Sequence, residues 1–294
     1  MNTAISRSAS PTTALAPSDD AILRDLLRFH YLASRQVCLL RYSPGSLTHV
    51  QTKLKRLTDE RFCQRIWLPR PTPHGSAPSI YTLARKGLNY LREQGVDVPA
   101  RYHPSEQREH AYLFLRHTLA VNDVLISAEL FCRREPRFAL AATLHERDLK
   151  RTPVRVEDET GASITVVPDG WLDLRIDGAF QVCLVLELDR GTEEQKAWRR
   201  KVRGLVAYAN GPYQEAFQTK SLTIAVVTTS GPRRLLDLLR WTERELIDLK
   251  EQQQGDLFLF TDVVPEAIVP STLFLSHVWY RPFAADAIAL VDLE

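Results

Sequence analysis

Paired cysteines, long apolar runs and a strong net charge are all missing from this chain of 294 residues. Its four cysteines form no CxxC pair and each lies in an apolar context, so buried free thiols are expected. No apolar run approaches the length of a membrane span, so no membrane association is expected. Residues 1–18 lack a continuous apolar core, which predicts a disordered tail rather than a secretory signal. A cytoplasmic location is the resulting expectation.

The overall charge leaves the class of partner open. The net charge is +2, with 44% hydrophobic and 25% charged residues, which is typical of a soluble globular protein. A chain so close to neutral does not indicate nucleic-acid binding by composition, so local clusters of charge must carry that inference. The length indicates one large domain or two ordinary ones.

Residues 19–95 have the pattern of a winged helix-turn-helix. Three helical stripes of apolar residues, the last over 46–57, come before two alternating strands that flank a Pro/Gly-rich loop. A final helix is predicted at 84–93. In a winged helix, the third helix enters the major groove of DNA and the hairpin contacts the backbone.

Polar and basic residues occupy the outer face of the predicted third helix and the base of the loop. The predicted phosphate contacts are Lys53, Lys55, Arg56, Arg65 and Arg70. The predicted base readers are His49, Gln51 and Thr52. Double-stranded DNA is therefore the expected partner. Two alternatives remain: a small helical domain whose basic face is only solvated, and a winged helix that docks another protein.

The rest of the chain predicts a second domain of mixed type. A Pro-containing linker over 96–104 leads to a domain over 105–262, and a C-terminal extension covers 263–294. The domain is predicted to contain a long helix, a series of strands, and then helices that alternate with strands. This order predicts an α/β domain with a central mixed sheet, so the whole chain is classed as α+β. Within the extension, a strand-like piece at 273–280 is expected to cover an edge of the sheet.

Acidic side chains end several of these predicted strands. Asp169 follows a proline, and Glu187 and Asp189 close an apolar run, with their side chains on one face because they are two residues apart. Hard cations such as Mg²⁺ or Mn²⁺ prefer carboxylates from converging strands, so Asp169 and Glu187, together with Glu146, are the predicted metal ligands. Such a metal can acidify a water and stabilise charge on a scissile phosphate. Alternatively, Asp169 is only a turn residue, and 189–192 is a strand-to-helix loop with Thr192 as the helix cap.

Two short motifs carry a resemblance to known proteins. Pro168-Asp169 and Glu187-Leu188-Asp189, placed on a predicted meander, resemble the PD-(D/E)xK nuclease superfamily, whose core is helix, three-stranded meander, helix, strand. Together with the winged helix, the chain from about Asp19 to about Asp262 resembles the replication-relaxation family of plasmid and mobile-element proteins. This resemblance is carried by the helix over 117–123, by residues 168–170 and 187–192, and by Lys201 and Tyr208 on the following helix. The resemblance implies a restriction-endonuclease-like second domain. It also implies DNA binding, a role in replication, mobilisation or relaxation of DNA, and plasmid replication or mobilisation proteins as partners.

The chain departs from the nuclease pattern at one position. The superfamily has a lysine two residues after the glutamate, and this chain has Asp189 there. The predicted catalytic set is therefore Asp169, Glu187, Asp189 and Lys201, with Lys201 (or Lys196) reaching in from the next helix. Otherwise the site is not hydrolytic, and a degenerate nuclease-like domain holds DNA or a partner. An oligomer is compatible with both hypotheses.

Overall fold

The structure is a computed structural model that describes residues 15–67, 79–99, 112–158 and 161–292. The chain divides into two compact units, Met1–Glu109 and His110–Glu294. The division falls shortly after the predicted linker, whose last residues lie outside the described ranges, as do residues 1–14 of the predicted tail. No helix in the described ranges combines the length and the apolar character needed to cross a membrane.

The first unit has the element order of a winged helix, as the sequence predicts. Its helices are α1 (Pro17–Phe29), α2 (Ser34–Arg41), α3 (Leu47–Asp59) and α4 (Arg85–Glu93). Its strands are β1 (Leu32–Ala33), β2 (Cys63–Trp67) and β3 (Ser79–Leu83), which form an antiparallel sheet in the order β1-β3-β2.

Helix α3 buries the stripe that its apolar spacing predicts. Val50, Leu54 and Leu57 are fully buried, because residues three and four apart share one face of a helix. Leu47 was predicted to lie on the same stripe, but it is 40% exposed. It is the first residue of the helix.

The second unit contains the elements predicted for a mixed domain. Its helices are α5 (Tyr112–Arg134), α6 (Glu146–Leu149), α7 (Gln195–Ala209), α8 (Pro212–Phe217), α9 (Pro232–Leu249) and α10 (Pro270–Leu275). Its strands are β4 (Phe138–His145), β5 (Val154–Glu157), β6 (Ser163–Val166), β7 (Gly170–Ile176), β8 (Phe180–Asp189), β9 (Thr223–Thr228) and β10 (Phe258–Asp262).

Five of these strands form the central sheet in the order β10-β9-β8-β7-β4, and β5 pairs with β6 in a separate hairpin. Strands β4, β7 and β8 make an antiparallel meander, while β8, β9 and β10 are parallel. The mixed sheet is thus confirmed. The order α5, meander, α7, β9 is the one that the resemblance implies for the core of this unit.

Alternate residues of β8 face opposite sides of the sheet. Val185 packs in the core that α7 and α9 form with the sheet, to which Trp198 of α7 and Leu238 of α9 belong. The neighbouring Leu186 lies near Leu125 of α5, since both side chains are close to Gly170. Residues 183–189 are all buried, as expected for a strand in the interior of a sheet with a helix on each face.

Two predicted elements differ from the structure. Helix α7 begins at Gln195 with Glu194 as its N-cap, so the prediction of a Thr192 cap is wrong. In the predicted strand-like piece at 273–280, the first residues belong to α10, because Pro270 occupies a favourable first-turn position. Tyr280 does pair with Phe260 of the edge strand β10 through two backbone hydrogen bonds of 2.8 Å, which confirms the predicted edge contact.

Candidate functional site

The start of β7 and the end of β8, which lie side by side at one end of these two strands, bring the predicted acids together. Asp169 directly precedes β7, and its backbone N–H donates to the carbonyl of Leu186 at 3.0 Å. Glu187 is the next residue of β8 and is 3% exposed. Antiparallel pairing therefore places the two acids side by side, as the sequence predicts.

The carboxylate of Asp169 is held by two donors. The Nε2 atom of His117, on α5, lies 3.0 Å from Oδ1, and the backbone N–H of Leu188 donates to Oδ2 at 2.7 Å. Burial alone would raise the pKa of Asp169, but these hydrogen bonds and the positive charge of Lys201 hold it below its usual value. For His117, burial alone would lower the pKa. The hydrogen bond to Asp169 and the charge of its carboxylate outweigh burial, so the pKa of His117 is raised.

Glu187 meets a lysine from α7. The Nζ atom of Lys201 lies 3.0 Å from Oε2 of Glu187 and 3.3 Å from Oε2 of Glu193. Burial raises the pKa of Glu187 to about 7, although Lys201 opposes that shift. Burial alone would lower the pKa of Lys201. The carboxylates of Glu187, Asp169 and Glu193 outweigh this effect and raise the pKa above its usual value, so the amine is charged.

Helix α7 thus places a lysine beside Glu187. Because α7 begins at Gln195, Lys201 lies less than two turns into the helix, closer than a start at Thr192 would place it. The side chain of Lys201 is 34% exposed.

Asp189, the acid in the motif-lysine position, has a different set of partners. Arg234 of α9 donates to both of its oxygens, at 2.7 Å to Oδ1 and 2.9 Å to Oδ2. Thr228 and the backbone N–H of Gly191 also donate to Oδ2, each at 2.9 Å. These contacts tie the end of β8 to β9 and α9, and they leave Lys201 to Glu187.

Glu146 is connected to the site through its backbone. Its N–H donates to the carbonyl of Asp169 at 3.0 Å, while its carboxylate pairs with Lys150 one turn along the chain. Within the ranges that the structure describes, no group of three or more His, Cys, Asp and Glu side chains is arranged to hold a metal ion. The predicted ligands Asp169 and Glu187 converge, and Glu146 does not complete a set of three in this conformation.

A cleft of about 620 Å³ lies at this end of β7 and β8. Its lining includes Asp169, Asp189, His117, Arg190, Glu193 and Lys201, whereas Glu187 is buried and does not line it. His117 and Arg190 were not among the site residues predicted from the sequence. The signal for His117 was weak, because a histidine on a long apolar helix is usually a packed residue, and its partner is 52 positions away.

The predicted DNA-binding residues of the first unit divide into two groups. His49, Gln51, Thr52 and Lys55 are exposed along α3, although Lys55 also pairs with Asp59 at 2.7 Å on the surface. The guanidinium of Arg65 lies 3.6 Å from the ring centroid of Trp67, which is 62% exposed on β2. These residues form an outward polar and basic surface. Arg70 lies outside the described residues.

Lys53 and Arg56 instead serve a contact within the unit. Lys53 lies 2.9 Å from the carboxylate of Asp19, which is fully buried, and Arg56 pairs with the other oxygen of Asp19. This network ties α3 to α1. The positive charges of Lys53 and Arg56, which were predicted to contact phosphates, are therefore already paired with Asp19 within the protein.

Comparison with known proteins identifies the family. The family model described as replication-relaxation matches residues 23–222, which is more than half of the chain. Among solved structures, the chain is similar to PadR from Bacillus subtilis in complex with operator DNA. The identity is 15%, the match covers 82% of this chain and 98% of that chain, and the TM-score of 0.24 is too low to establish a shared fold. No curated protein matches the chain. The chain belongs to the replication-relaxation family.

Proposed function

We propose that the protein binds double-stranded DNA through its winged helix and cleaves a DNA strand at the cleft of the second unit. The process is the replication or mobilisation of a plasmid or other mobile element. The observation that carries the cleavage proposal is the 3.0 Å contact between Lys201 and Glu187, because it returns a cation to the acids that converge at the sheet edge. Family membership supports the DNA-related role.

The acids have the right chemistry for Mg²⁺ or Mn²⁺. Mg²⁺ is usually bound by one or two carboxylates, several waters and the phosphates of the substrate, rather than by a complete protein cage. Asp169 and Glu187 would supply the carboxylates, and DNA would supply phosphate oxygens. A divalent ion there would lower the pKa of a water and neutralise charge on the phosphate.

Other groups at the cleft hold Asp169 in place and supply a positive charge. Leu188 N–H and His117 keep Asp169 fixed in place and ionised. Lys201 is charged and partly exposed, so its ammonium group can stabilise the negative charge that develops on a phosphate during cleavage. Glu193 contacts the same ammonium and limits where it can move.

The test is incubation of the purified protein with supercoiled and linear plasmid in the presence of Mg²⁺ or Mn²⁺. We expect nicking or linearisation by the native protein and none by Asp169→Asn or Glu187→Gln. Lys201→Met should lower the rate by about 10²-fold to 10³-fold, the range for removal of one electrostatic donor. Asp177→Asn is the matched control, since Asp177 is an exposed acid of the same unit that pairs with Arg137. Absence of cleavage by the native protein would contradict the enzymatic part.

A second candidate function is a DNA-binding regulator or replication accessory factor without catalysis. It is favoured by the contacts that His117 and Lys201 already make with the two acids, and by the lack of a ready set of three metal-ligating side chains in the described ranges. This candidate predicts DNA binding that persists in the Asp169→Asn, Glu187→Gln double variant, with no cleavage by any form. Affinity that did not change with salt, or no DNA binding at all, would instead indicate a protein-docking winged helix.

A further inference from the structure

Three basic side chains of α7 are neutralised by acids of the same unit. Arg199 and Arg203 of α7 both donate to Glu245 of α9, and Lys201 pairs with Glu187. Arg190, in the loop between β8 and α7, does not follow this pattern. Its Nη1 atom donates to the backbone carbonyl of Leu113 at 3.0 Å, and within the described ranges it contacts no carboxylate.

A second arginine lies about one helical turn from the contact that Arg190 makes with α5, because Arg116 is three residues after Leu113. Arg116, on the first turns of α5, is held by Tyr112, whose hydroxyl accepts from Nη1 at 3.4 Å and whose ring centroid lies 5.9 Å from the guanidinium carbon. Arg116 also has no carboxylate partner in the part of the chain that the structure describes. Burial lowers the pKa of Arg190, and the positive charge of Arg116 lowers it as well.

Two like charges held together in this way favour an anion between or beside them. Guanidinium groups match the geometry of phosphate oxygens and bind them with paired hydrogen bonds. Arg190 lines the same cleft as Asp169 and Lys201, and Arg116 directly precedes His117 of that cleft. Each arginine donates to a neutral oxygen, and such a contact leaves its positive charge uncompensated.

We propose that Arg116 and Arg190 form a phosphate-binding pair on the rim of the cleft, which holds a backbone phosphate next to the one that faces Asp169 and Glu187. This inference rests on the proposed entry of DNA into that cleft. The pair would fix the register of the strand through its backbone, without reading sequence.

The test measures how DNA affinity depends on salt. The full-length protein is titrated into a short fluorescent DNA duplex at several NaCl concentrations, with EDTA present so that cleavage does not interfere. Removing one phosphate contact should reduce the slope of log K against log salt by about one, so Arg116→Gln with Arg190→Gln should reduce it by about two. The Arg116→Lys, Arg190→Lys variant keeps both charges and should keep most of the slope.

Controls separate this inference from a folding defect and from the cleavage proposal. Arg137→Gln removes an exposed arginine that pairs with Asp177, so its slope should match that of the native protein. Thermal unfolding should show that the Gln variants remain folded. A native-like slope in the folded Gln variant would overturn the inference, as would the absence of DNA binding by the native protein. A reduced slope with no cleavage by the native protein under Mg²⁺ would support the phosphate site and contradict only the nuclease.

Discussion

The ion pair between Arg234 and Asp189 tests whether the acid in the motif-lysine position is structural. The two side chains are 12% and 1% exposed, and two nitrogen–oxygen distances of 2.7 and 2.9 Å join them. Arg234 also donates to the backbone carbonyl of Glu193 at 2.6 Å. We expect Arg234→Met to destabilise the second unit strongly, because the carboxylate of Asp189 would remain buried without its cation.

The size of this effect follows from the burial of the pair. Removing one partner of a buried ion pair costs about 3–5 kcal/mol. Thr228 and Gly191 still donate to Asp189 in the variant, so the lower end, about 3 kcal/mol, is expected. For a unit of this size, such a loss lowers the melting temperature by about 6–12 °C.

The assay is thermal unfolding followed by tryptophan fluorescence, since Trp171, Trp198 and Trp279 are all buried in the second unit. Adding Asp189→Asn to Arg234→Met removes the stranded charge and should restore at least about 1 kcal/mol, because neutral groups cost less to bury than an unpaired carboxylate. A loss below about 1 kcal/mol in Arg234→Met, or a double variant no more stable than the single one, would refute the reasoning.

Other close contacts make equally direct predictions. Lys53 and Arg56 hold the pKa of Asp19 below its usual 3.8 despite burial, so the stability that Asp19 provides should be complete above that value and lost as the pH falls below it. Asp19→Asn should flatten this acid limb in a pH series of unfolding of the first unit, and an unchanged limb would count against the network. Gly191 has φ +74°, and an added Cβ would lie 2.5 Å from Oγ of Ser230. Gly191→Ala should therefore cost about 1–2 kcal/mol in chemical denaturation, with partial recovery on adding Ser230→Gly; a native-like midpoint would contradict this.

The apolar run and the spacing of the acids were enough to predict strand β8 and the side of it on which the acids lie. An unbroken apolar run indicated that β8 is interior, and strand periodicity placed Glu187 and Asp189 on one face. The structure confirms both features, because they depend only on residues near in sequence. The start of α7 was harder to predict, since Thr192 has the residue type of a helix cap but the backbone becomes helical only after Glu194.

Pairing between distant residues could not be read from the sequence. Asp19 and Lys53 are 34 positions apart, and their contact depends on how α1 packs against α3. A basic helix face alone gives no sign that two of its charges are paired with a buried carboxylate. The same limit applies to Arg234, which lies 45 positions after Asp189 and meets it only because α9 packs on the sheet beside α7.

The acid at the motif-lysine position has a simple explanation in the packing of the two helices. Glu187 and Asp189 point to the same side of β8, but that side is covered by α7 at the first residue and by α9 at the second. Each helix supplies a cation to one of the two acids: Lys201 of α7 pairs with Glu187, and Arg234 of α9 pairs with Asp189. A lysine at position 189 would face Arg234 in a buried environment, and that repulsion would be costly. The cation that pairs with Glu187 therefore comes from α7, where Lys201 lies 3.0 Å from its carboxylate.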